Sequence, residues 1–458
     1  MCRALRAAVP GFSLLCPDTN DPQTQEAGYR ARLLRNVPKV HNVTLLALST
    51  FTRKFCEKFV AKVTPMSFTE WKDSLSFPLG RKAELQAAYD ELEGGRPSRR
   101  QCERVKSFGK SEGYAEYKQM RGINSRSDYF KVFAGPFFKA IETVVYCLEP
   151  FIKHTPVPDR WKKIDNLKKS GRRYFATDYT AFESHFSPEV MDAIECELYR
   201  WCLQDYPEDA ELICRTLTGH NRMKMRGGFS ATVKGRRMSG DMCTSLGNGF
   251  TNYILTAFLV DELGGELEGY VEGDDGIFAS TVPLNEKMYL DLGFSIKIQE
   301  VADPCKASFC GLVFAQGGEI IRDPKRFFSS FGWTFSFIQG GQKLMDSLLH
   351  AKSLSAIYET PQCPLVRPLA DWALRQSSYT HPRFVTDGYH TELPRFNLVP
   401  FNPNPATRDL FEELYGISAA QQLAAEARIA RGDFRGLADL FPINCDMADY
   451  ISKYIEVG

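Results

Sequence analysis

The amino-acid sequence predicts a mixed α/β protein, and three features indicate this class. The chain has 458 residues, of which 43% are hydrophobic, and a chain of this length buries a substantial core in about three domain-sized units. Short apolar runs such as YFATD (174–178) are typical of buried strands. Longer stretches with apolar residues at helical spacing, such as AAQQLAAEARIA (419–430), are typical of helices.

The elements in the first part of the chain are predicted from turn residues and helix signals. Residues 1–30 are rich in Pro, Asp, Asn and Gln, which favours an irregular arm. Helical patterns dominate residues 45–93 and end at a Gly-Gly-Arg-Pro sequence. After the strand at 174–178, Ser187-Pro188-Glu189 supplies an N-cap serine, a proline at the first helical position and an acid in the first turn. Asp178 is therefore expected at the end of a strand, ahead of a helix.

The elements after residue 240 include the most distinctive turn. The run DMCTSLGNGFTNYILTAFLVDEL (241–263) predicts a long, largely buried helix. The stretch YVEGDDGIFAS (270–280) then places Gly-Asp-Asp-Gly between two apolar runs. This composition predicts a tight β-hairpin, because glycine supplies positive φ and aspartate tolerates turn geometry. From residue 340 onward helical patterns prevail.

Charge and cysteine content narrow the function classes. The net charge of +1 creates no global attraction for polyanions, so a nucleic-acid site has to be built from local basic clusters. Thirteen cysteines without a C-x-x-C pair indicate free thiols in a reducing compartment, and a structural zinc site is not indicated. We expect neither a signal peptide nor a transmembrane segment. The dense basic clusters are RRQCERVK (99–106), KKIDNLKKSGRR (162–173), NRMKMR (221–226), KGRR (234–237) and RDPKR (322–326).

Three carboxylates are candidates for one metal site. The strand-end Asp178 and the hairpin pair Asp274 and Asp275 meet if their strands share one sheet. Acids at close range repel one another unless a cation neutralises them. Magnesium takes hard oxygen ligands and is usually held by one or two carboxylates plus substrate phosphates. A pair of such ions about 3.5–4 Å apart serves polymerases and many nucleases alike, so the acids alone leave both open.

The chain resembles viral RNA-dependent RNA polymerases in six motifs. FGKSEGYAEYKQMRGI (108–123) is similar to motif F of the fingers, and RDPKRFFSSFGW (322–333) also suits the group. As a set, the motifs resemble replicases of positive-strand RNA viruses of the tombusvirus-like, nodavirus-like and flavivirus-like groupings. Those similar to motifs A to E are ATDYTAFESHF (176–186), RMSGDMCTSLGNGFTNYIL (237–255), YVEGDDGIFAS (270–280), LGFSIKIQ (292–299) and ASFCGLVF (307–314).

The resemblance implies a right-hand fold with fingers, a palm made of an antiparallel sheet backed by helices, and a helical thumb. In this fold the NRMKMRGG segment (221–228) would follow the template strand. Phosphate contacts from such basic segments position nucleic acid without reading its sequence. The implied divisions are an N-terminal arm and fingers (1–170), palm (171–204), a fingers insertion (205–236), palm (237–320) and thumb (321–458).

The resemblance also implies roles for individual residues. Asp178 and Asp274 would be the principal ligands of two Mg²⁺ ions, which Mn²⁺ can replace, and Asp275 would assist. Lys297 would protonate the leaving pyrophosphate. Arginine suits the triphosphate because its planar fork meets phosphate oxygens in pairs. The residues expected to contact the nucleotide are Lys110, Lys118 and Arg121 at the triphosphate, and Glu183, Ser239, Thr244 and Asn248 near the sugar and template.

Glu183 departs from the family pattern, because motif A usually ends in a second aspartate. We expect Glu183 and Asn248 to form one polar network that reads the ribose 2′-hydroxyl, with Ser239 close by. Replacement of Glu183 by aspartate, the usual family residue, is expected to be tolerated. In a reverse transcriptase this position normally holds a bulky aromatic residue that excludes a 2′-hydroxyl.

The function implied is RNA-templated RNA synthesis from ribonucleoside triphosphates, replicating a viral genome. The implied partners are template and nascent RNA and other viral replication proteins. The implied location is the host cytoplasm, at membrane-associated replication complexes reached through a partner. Three alternatives stay open: a reverse transcriptase-like DNA polymerase, a metal nuclease, and a non-catalytic RNA-binding replication protein. The nuclease has no need of motifs B and F, and the binding protein leaves the carboxylates unexplained.

Overall fold

The computed structural model of the chain describes residues 2–12, 14–114, 118–225, 228–377 and 398–441. Parts of the predicted motif F, fingers insertion and thumb lie outside these ranges. The helices are Pro22–Arg32 (α1), Asn42–Phe59 (α2), Phe68–Ser74 (α3), Leu79–Glu91 (α4), Arg99–Glu103 (α5), Asp128–Val145 (α6), Arg160–Asp165 (α7), Pro188–Met191 (α8), Glu197–Cys202 (α9), Pro207–Thr218 (α10), Thr244–Glu262 (α11), Glu286–Asp291 (α12), Pro324–Phe331 (α13), Gln342–Glu359 (α14), Val366–Arg375 (α15), Pro405–Tyr415 (α16) and Ala419–Ala430 (α17). The strands are Arg3–Ala4 (β1), Arg104–Gly109 (β2), Gly122–Arg126 (β3), Arg173–Tyr179 (β4), His220–Met225 (β5), Ser230–Lys234 (β6), Leu267–Glu272 (β7), Asp275–Ser280 (β8), Ile296–Val301 (β9), Ser308–Phe309 (β10), Leu312–Phe314 (β11), Ile320–Arg322 (β12) and Trp333–Thr334 (β13).

The chain forms two compact units. The large unit comprises Thr19–Lys110 and Met120–Cys310. The small unit comprises Met1–Asp18, Ser111–Gln119 and Gly311–Gly458. Mixed helix and sheet structure in the described ranges confirms the predicted α/β class. The finer division into fingers, palm and thumb stays a prediction.

The large unit is built around a four-stranded antiparallel sheet in the order β7-β8-β4-β9. Its strands carry buried side chains that join the main core, among them Phe175 on β4 and Phe278 on β8. Helix α11 contributes Phe250, Ile254 and Leu255 to the same core, and all three are completely buried. Because α11 buries apolar residues on several sides, it tolerates little change in volume.

A second four-stranded sheet in the large unit has the order β3-β2-β5-β6. Strands β2 and β5 run parallel, and the other pairs are antiparallel. One face buries Val105, Met223 and Met225 in a small core with Tyr29 of α1. The alternation of side chains along a strand sends the intervening residues to the opposite, exposed face.

The small unit is mainly helical. Strand β1 pairs with β13, and β11 pairs with β12, in both cases antiparallel. Helices α13 to α17 enclose a separate core that includes Phe328, Leu349, Leu369, Phe411 and Ile429. Among the helices in the described ranges, none combines the length and the apolar composition that crossing a membrane requires.

One element contradicts the sequence-based expectation. Residues 1–30 were expected to form an irregular arm, and this is wrong for the last nine of them, because helix α1 begins at Pro22. The Asp21 carboxylate accepts the backbone N–H of Thr24 at 2.7 Å, and proline at the first helical position suits the start of a helix. The Asp-Pro pair is therefore a helix start, although the polar composition around it is typical of a loop.

Candidate active site

The predicted hairpin forms and brings the three aspartates to one end of the central sheet. Glu272 on β7 pairs with Asp275 on β8, so Gly273 and Asp274 make the two-residue turn. Gly273 has a φ of 63°, the left-handed conformation that favours glycine. On the neighbouring strand, Thr177 pairs with Gly276, which places Asp178 beside the turn.

Loss of hydration and crowding raise the pKa of Asp274 and of Asp275. Loss of hydration, and after it the charges of Asp274 and Asp178, raise the pKa of Asp275 to about 7. Loss of hydration also raises the pKa of Asp274, and repulsion from Asp178 and Glu183 adds to the rise, whereas Arg121 opposes it. Asp274 is exposed at the tip of the turn, so the surrounding atoms reduce its hydration without sealing it from water.

The donor set fits a hard divalent cation. Asp178, Asp274 and Asp275 offer only carboxylate oxygens, and their mutual repulsion is relieved when a cation binds. Within the residues that the structure describes, no three His, Cys, Asp or Glu side chains already converge tightly enough to enclose an ion. Magnesium sites commonly take the remaining ligands from water and substrate phosphates.

Lys297, the predicted proton donor, lies beside this cluster. It stands opposite Asp178 in the antiparallel pairing of β4 with β9. Directly opposed side chains share one face of a sheet, with Cβ atoms about 4.5–5.5 Å apart. Lys297 is exposed. The sheet register therefore places this lysine and Asp178 together at one end of the sheet.

The predicted motif B residues are held by local hydrogen bonds. The Ser239 hydroxyl donates to the carbonyl of Gly122 on β3 at 2.9 Å. Thr244 begins α11, and its hydroxyl donates to the carbonyls of Asp241 at 2.7 Å and Met238 at 3.1 Å. These contacts fix the loop before α11 against the second sheet and against its own helix.

Helix α11 also holds the aspartate turn in place through Asn252 and Gly249. Asn252 donates its side-chain amide to the carbonyls of Gly273 at 3.2 Å and Asp275 at 3.1 Å. A Cβ atom added at Gly249 would lie 3.6 Å from the backbone nitrogen of Gly273. The turn therefore rests on this face of the helix, which explains an asparagine and a glycine at these two positions.

Two buried residues that the sequence did not single out position Asn248. The Arg237 guanidinium donates from Nε to Oδ1 of Asn248 at 3.0 Å and pairs with the carboxylate of Glu195. Both charged groups are almost completely inaccessible to solvent, and they are 42 residues apart in the chain. Breaking one member of such a pair leaves the other charge uncompensated. No local pattern joins an acid in one helix to an arginine that far away.

Glu183 has a different partner from the one expected. It lies in a short turn, Phe182–His185, that follows Ala181 in the left-handed conformation with a φ of 50°. Arg32 of α1 donates from Nε to Oε1 of Glu183 at 2.8 Å and from Nη2 to Oε2 at 3.4 Å. None of the hydrogen bonds in the described ranges joins the side chains of Glu183 and Asn248. Arg237 connects the two residues, because its backbone N–H donates to the Glu183 carbonyl at 3.0 Å.

The predicted triphosphate residues fall in both units. The backbone N–H of Lys110 donates to the carbonyl of Arg121 at 2.8 Å, just beyond the paired ends of β2 and β3. The structure therefore brings Lys110 and Arg121 together, and the charge of Arg121 acts on Asp274. Lys118 belongs to the small unit, where it is exposed and its Nζ lies 6.0 Å from the centre of the Tyr114 ring.

The exposed face of the second sheet carries two of the predicted basic clusters. Lys106 on β2 pairs with Lys224 on β5, and Arg104 pairs with Arg222 in the same register. All four side chains are exposed, and Phe108 on the same face is 47% exposed. They line part of a groove of about 1710 Å³ within the large unit. Like charges directly opposite one another are unfavourable unless a counter-charge neutralises them.

Comparison with known proteins supports the resemblance. Residues 172–328 match the family described as "Viral RNA dependent RNA polymerase". The RNA-directed RNA polymerase of Groundnut rosette virus (strain MC1) is 27% identical over 261 residues, which are 52% of this chain and 30% of that protein. The RNA-directed RNA polymerase of Panicum mosaic virus (strain United States/Kansas 109S) is 30% identical over 159 residues, which are 34% of this chain and 16% of that protein.

The matched region contains most of the candidate site. Each match spans less than a third of the viral relative's own length. Strand β4, helix α11 and the β7–β8 hairpin all lie within residues 172–328. Asp178, Asp274 and Asp275 are therefore inside the region on which the family match rests. The resemblance predicted from the motifs is confirmed for this region, since residues 172–328 match the viral RNA-dependent RNA polymerase family and both relatives are RNA-directed RNA polymerases.

Proposed function

We propose that the chain catalyses RNA-templated synthesis of RNA from ribonucleoside triphosphates and so replicates a viral genome. One observation supports this above the others. The polymerase-like region folds so that Asp178 lies beside the Asp274–Asp275 turn, at one end of an antiparallel sheet. A carboxylate cluster of this kind, with substrate phosphates, is what two-metal nucleotidyl transfer requires.

Each residue of the candidate site would have its own role in nucleotide addition. Asp178 and Asp274 would hold two divalent cations, with Asp275 assisting. When bound, such ions lower the pKa of an attacking hydroxyl and neutralise charge on the phosphates. Arg121 would hold the triphosphate through paired hydrogen bonds from its guanidinium, with Lys110 and Lys118 assisting. Lys297 would give a proton to the departing pyrophosphate from the face of the sheet that also carries Asp178.

Glu183 and Asn248 would recognise the ribose of the incoming nucleotide through hydrogen bonds. Asn248 is fixed by Arg237, and Glu183 is fixed by Arg32, so both polar groups have defined orientations before a nucleotide arrives. Ser239 and Thr244 hold the loop that precedes α11. A site built to hydrogen-bond a hydroxyl discriminates against an analogue that lacks it, because its own polar groups are then left unpaired.

RNA would follow the exposed cationic face of the second sheet. Two like-charged pairs stand side by side there and line part of the groove in the large unit. Arg222 already pairs with Glu103 at 2.9 Å, so a phosphate backbone would add counter-charge mainly at the Lys106–Lys224 pair. An exposed phenylalanine offers a stacking surface for a base. The right-hand arrangement, the other viral replication proteins and a location at cytoplasmic membrane complexes are part of the same proposal.

Primer extension on a defined RNA template tests this function. We expect the purified chain to add ribonucleotides complementary to the template in the presence of Mg²⁺ or Mn²⁺, with Asp178→Ala inactive but still folded. Efficient addition of deoxyribonucleotides would indicate a reverse transcriptase instead. Cleavage of the RNA would indicate a nuclease. Tight RNA binding without any synthesis, in the presence of primer and metal, would indicate a non-catalytic replication protein.

A further inference from the structure

The ion pair between Arg32 and Glu183 joins distant parts of the large unit. The two residues are 151 positions apart, and their side chains are 33% and 22% exposed. The two contacts use different nitrogens and different oxygens, at 2.8 and 3.4 Å, so the guanidinium meets both oxygens of the carboxylate. Paired geometry of this kind fixes the orientation of a carboxylate, which a single point charge cannot do.

Arg32 is itself held in place. It is the last residue of α1, and that helix is anchored to β3 through the hydroxyl of Tyr29, which donates to Oδ1 of Asn124 at 2.6 Å. A Cβ atom at Gly28 would overlap the backbone of Met120, so the helix lies directly against this segment. The backbone of Arg32 therefore has a fixed position from which its side chain reaches Glu183.

Glu183 faces the candidate site from this position. It follows Asp178 by five residues, after the turn that ends β4. Its carbonyl accepts the backbone N–H of Arg237, the residue whose guanidinium fixes Asn248. Its charge also contributes to the electrostatics of Asp274. Glu183 is thus linked to the carboxylate cluster through its charge and to Asn248 through Arg237.

We propose that Arg32 is a positioning residue for ribose selection, which holds the Glu183 carboxylate in the orientation that accepts the 2′-hydroxyl of the incoming nucleotide. The inference rests on the proposed function and adds to it a residue outside the recognised motifs. It also accounts for the glutamate at this position, because the extra methylene lets the carboxylate reach α1. We expect aspartate, one methylene shorter, to hold this ion pair less well, so under this proposal Glu183→Asp is no longer expected to be tolerated.

The experiment compares ribonucleotide and deoxyribonucleotide addition by variants of the full chain. The measured quantity is the ratio of kcat/KM for the two sugars on one RNA primer-template with one metal. We expect Arg32→Ala to lower this ratio by about threefold to tenfold, because this range corresponds to the loss of one net hydrogen bond. The change should come mainly from a higher KM for the ribonucleotide. Arg32→Lys should recover part of the ratio, and Glu183→Asp should resemble Arg32→Ala.

Arg30→Ala is the matched control. Arg30 lies on the same helix and forms an ion pair of 2.7 Å with Glu26, one turn away and largely exposed. Its removal should leave the sugar ratio unchanged. In a Glu183→Ala background, Arg32→Ala should have no further effect on the ratio, because the group through which it acts is already absent.

Several outcomes separate this inference from its alternatives. If Arg32 only fastens α1 to the rest of the unit, Arg32→Ala will lower the melting temperature and both kcat/KM values together, and the ratio will stay at the wild-type value. A shift of equal size in the Glu183→Ala background would also overturn the proposal, as would a shift in Arg30→Ala. If Arg32→Ala fails to fold, Arg32→Lys tests the inference instead, with a smaller fall in the ratio expected and an unchanged ratio contradicting it. Absence of any synthesis by the wild type would refute the proposed function itself.

Discussion

At the scale of single residues, like charges at one turn set the chemistry of the candidate site. Asp275 has a pKa near 7, against 3.8 for an ordinary aspartate. The folded state therefore binds this proton more tightly than the unfolded state, so the contribution of Asp275 to the stability of the metal-free protein falls as the pH rises from about 4 to about 7. Above pH 7 both states are ionised and this contribution is constant. We expect Asp275→Asn to remove the effect, because asparagine does not ionise.

Thermal melts in EDTA check this expectation at pH 4, 6 and 8. The melting temperature of Asp275→Asn should equal that of the wild type near pH 4, exceed it at pH 6 and exceed it most at pH 8. Asp291→Asn, at the exposed end of α12, is the control and should give no such trend. Added Mg²⁺ should reduce the difference in melting temperature between Asp275→Asn and the wild type, because a bound cation relieves the repulsion among the aspartates. Equal melting temperatures of Asp275→Asn and the wild type at pH 8 would contradict the raised pKa and show that the turn is well hydrated.

The sequence predicts which acids form the cluster, because each is set by local signals. A strand end, a glycine-rich turn and their order along the chain are enough to place Asp178 and the Asp274–Asp275 pair. The partners that orient the neighbouring groups are not local. Arg32 meets Glu183 across 151 residues, and such pairings depend on tertiary packing, which local patterns do not encode.

At the scale of elements, helix α11 carries two glycines with different surroundings. A Cβ atom at Gly247 would lie 2.5 Å from Nη2 of Arg237 and would overlap the Glu195 carboxylate. A Cβ atom at Gly249 would make an ordinary van der Waals contact, 3.6 Å from the backbone nitrogen of Gly273. We expect Gly247→Ala to destabilise the protein by about 1–3 kcal/mol through overpacking. Gly249→Ala should be neutral or stabilising by up to about 1 kcal/mol, because alanine favours the helix.

Urea unfolding of the two variants, compared with the wild type, measures both changes. The pair is a matched control, since the substitution is the same and the two sites are two residues apart on one helix. Equal effects from the two substitutions would contradict the close packing of the Arg237–Glu195 pair against α11. In that case the buried ion pair would have room to move, and Asn248 would be less firmly positioned.

The elements themselves were largely predictable from the sequence. Strand β4, helix α11 and the hairpin of β7 and β8 follow from apolar spacing and turn residues, and α17 covers Ala419–Ala430 as its pattern predicts. Helix α1 was missed, because its polar composition is typical of a loop and only its Asp21-Pro22 start indicates a helix. Burial of Tyr29 against β3 compensates for that weak amphipathic pattern.

At the scale of the whole molecule, a nearly neutral chain concentrates positive charge on one sheet face. We expect Lys106→Glu combined with Lys224→Glu to weaken binding of single-stranded RNA. If each lysine neutralises one phosphate, the slope of log K against log salt should fall in magnitude by about 0.7 for each lysine replaced. Lys54→Glu combined with Lys58→Glu, on the exposed surface of α2, makes the same charge change as a control.

Fluorescence titrations between 50 and 200 mM salt, as a rough working range, measure these slopes. An equal loss in both double variants would mean that RNA responds to net charge, and the sheet face would then have no special part in binding. The basic clusters are visible in the sequence. Their alignment is not, because it depends on the parallel pairing of β2 with β5, whose residues are more than a hundred positions apart.

The most direct measurement of polymerase function at the aspartate turn is single-turnover nucleotide addition by the wild type and Asp274→Asn. Both proteins are supplied with one RNA primer-template, the complementary ribonucleotide and Mg²⁺. We predict template-directed addition by the wild type. The rate of Asp274→Asn should be lower by at least about a hundredfold, because removing one group that stabilises the transition state has an effect of this size. The RNA affinity and melting temperature of the variant should be close to those of the wild type. Addition by Asp274→Asn at more than about a tenth of the wild-type rate would contradict the assignment of this turn as the catalytic centre.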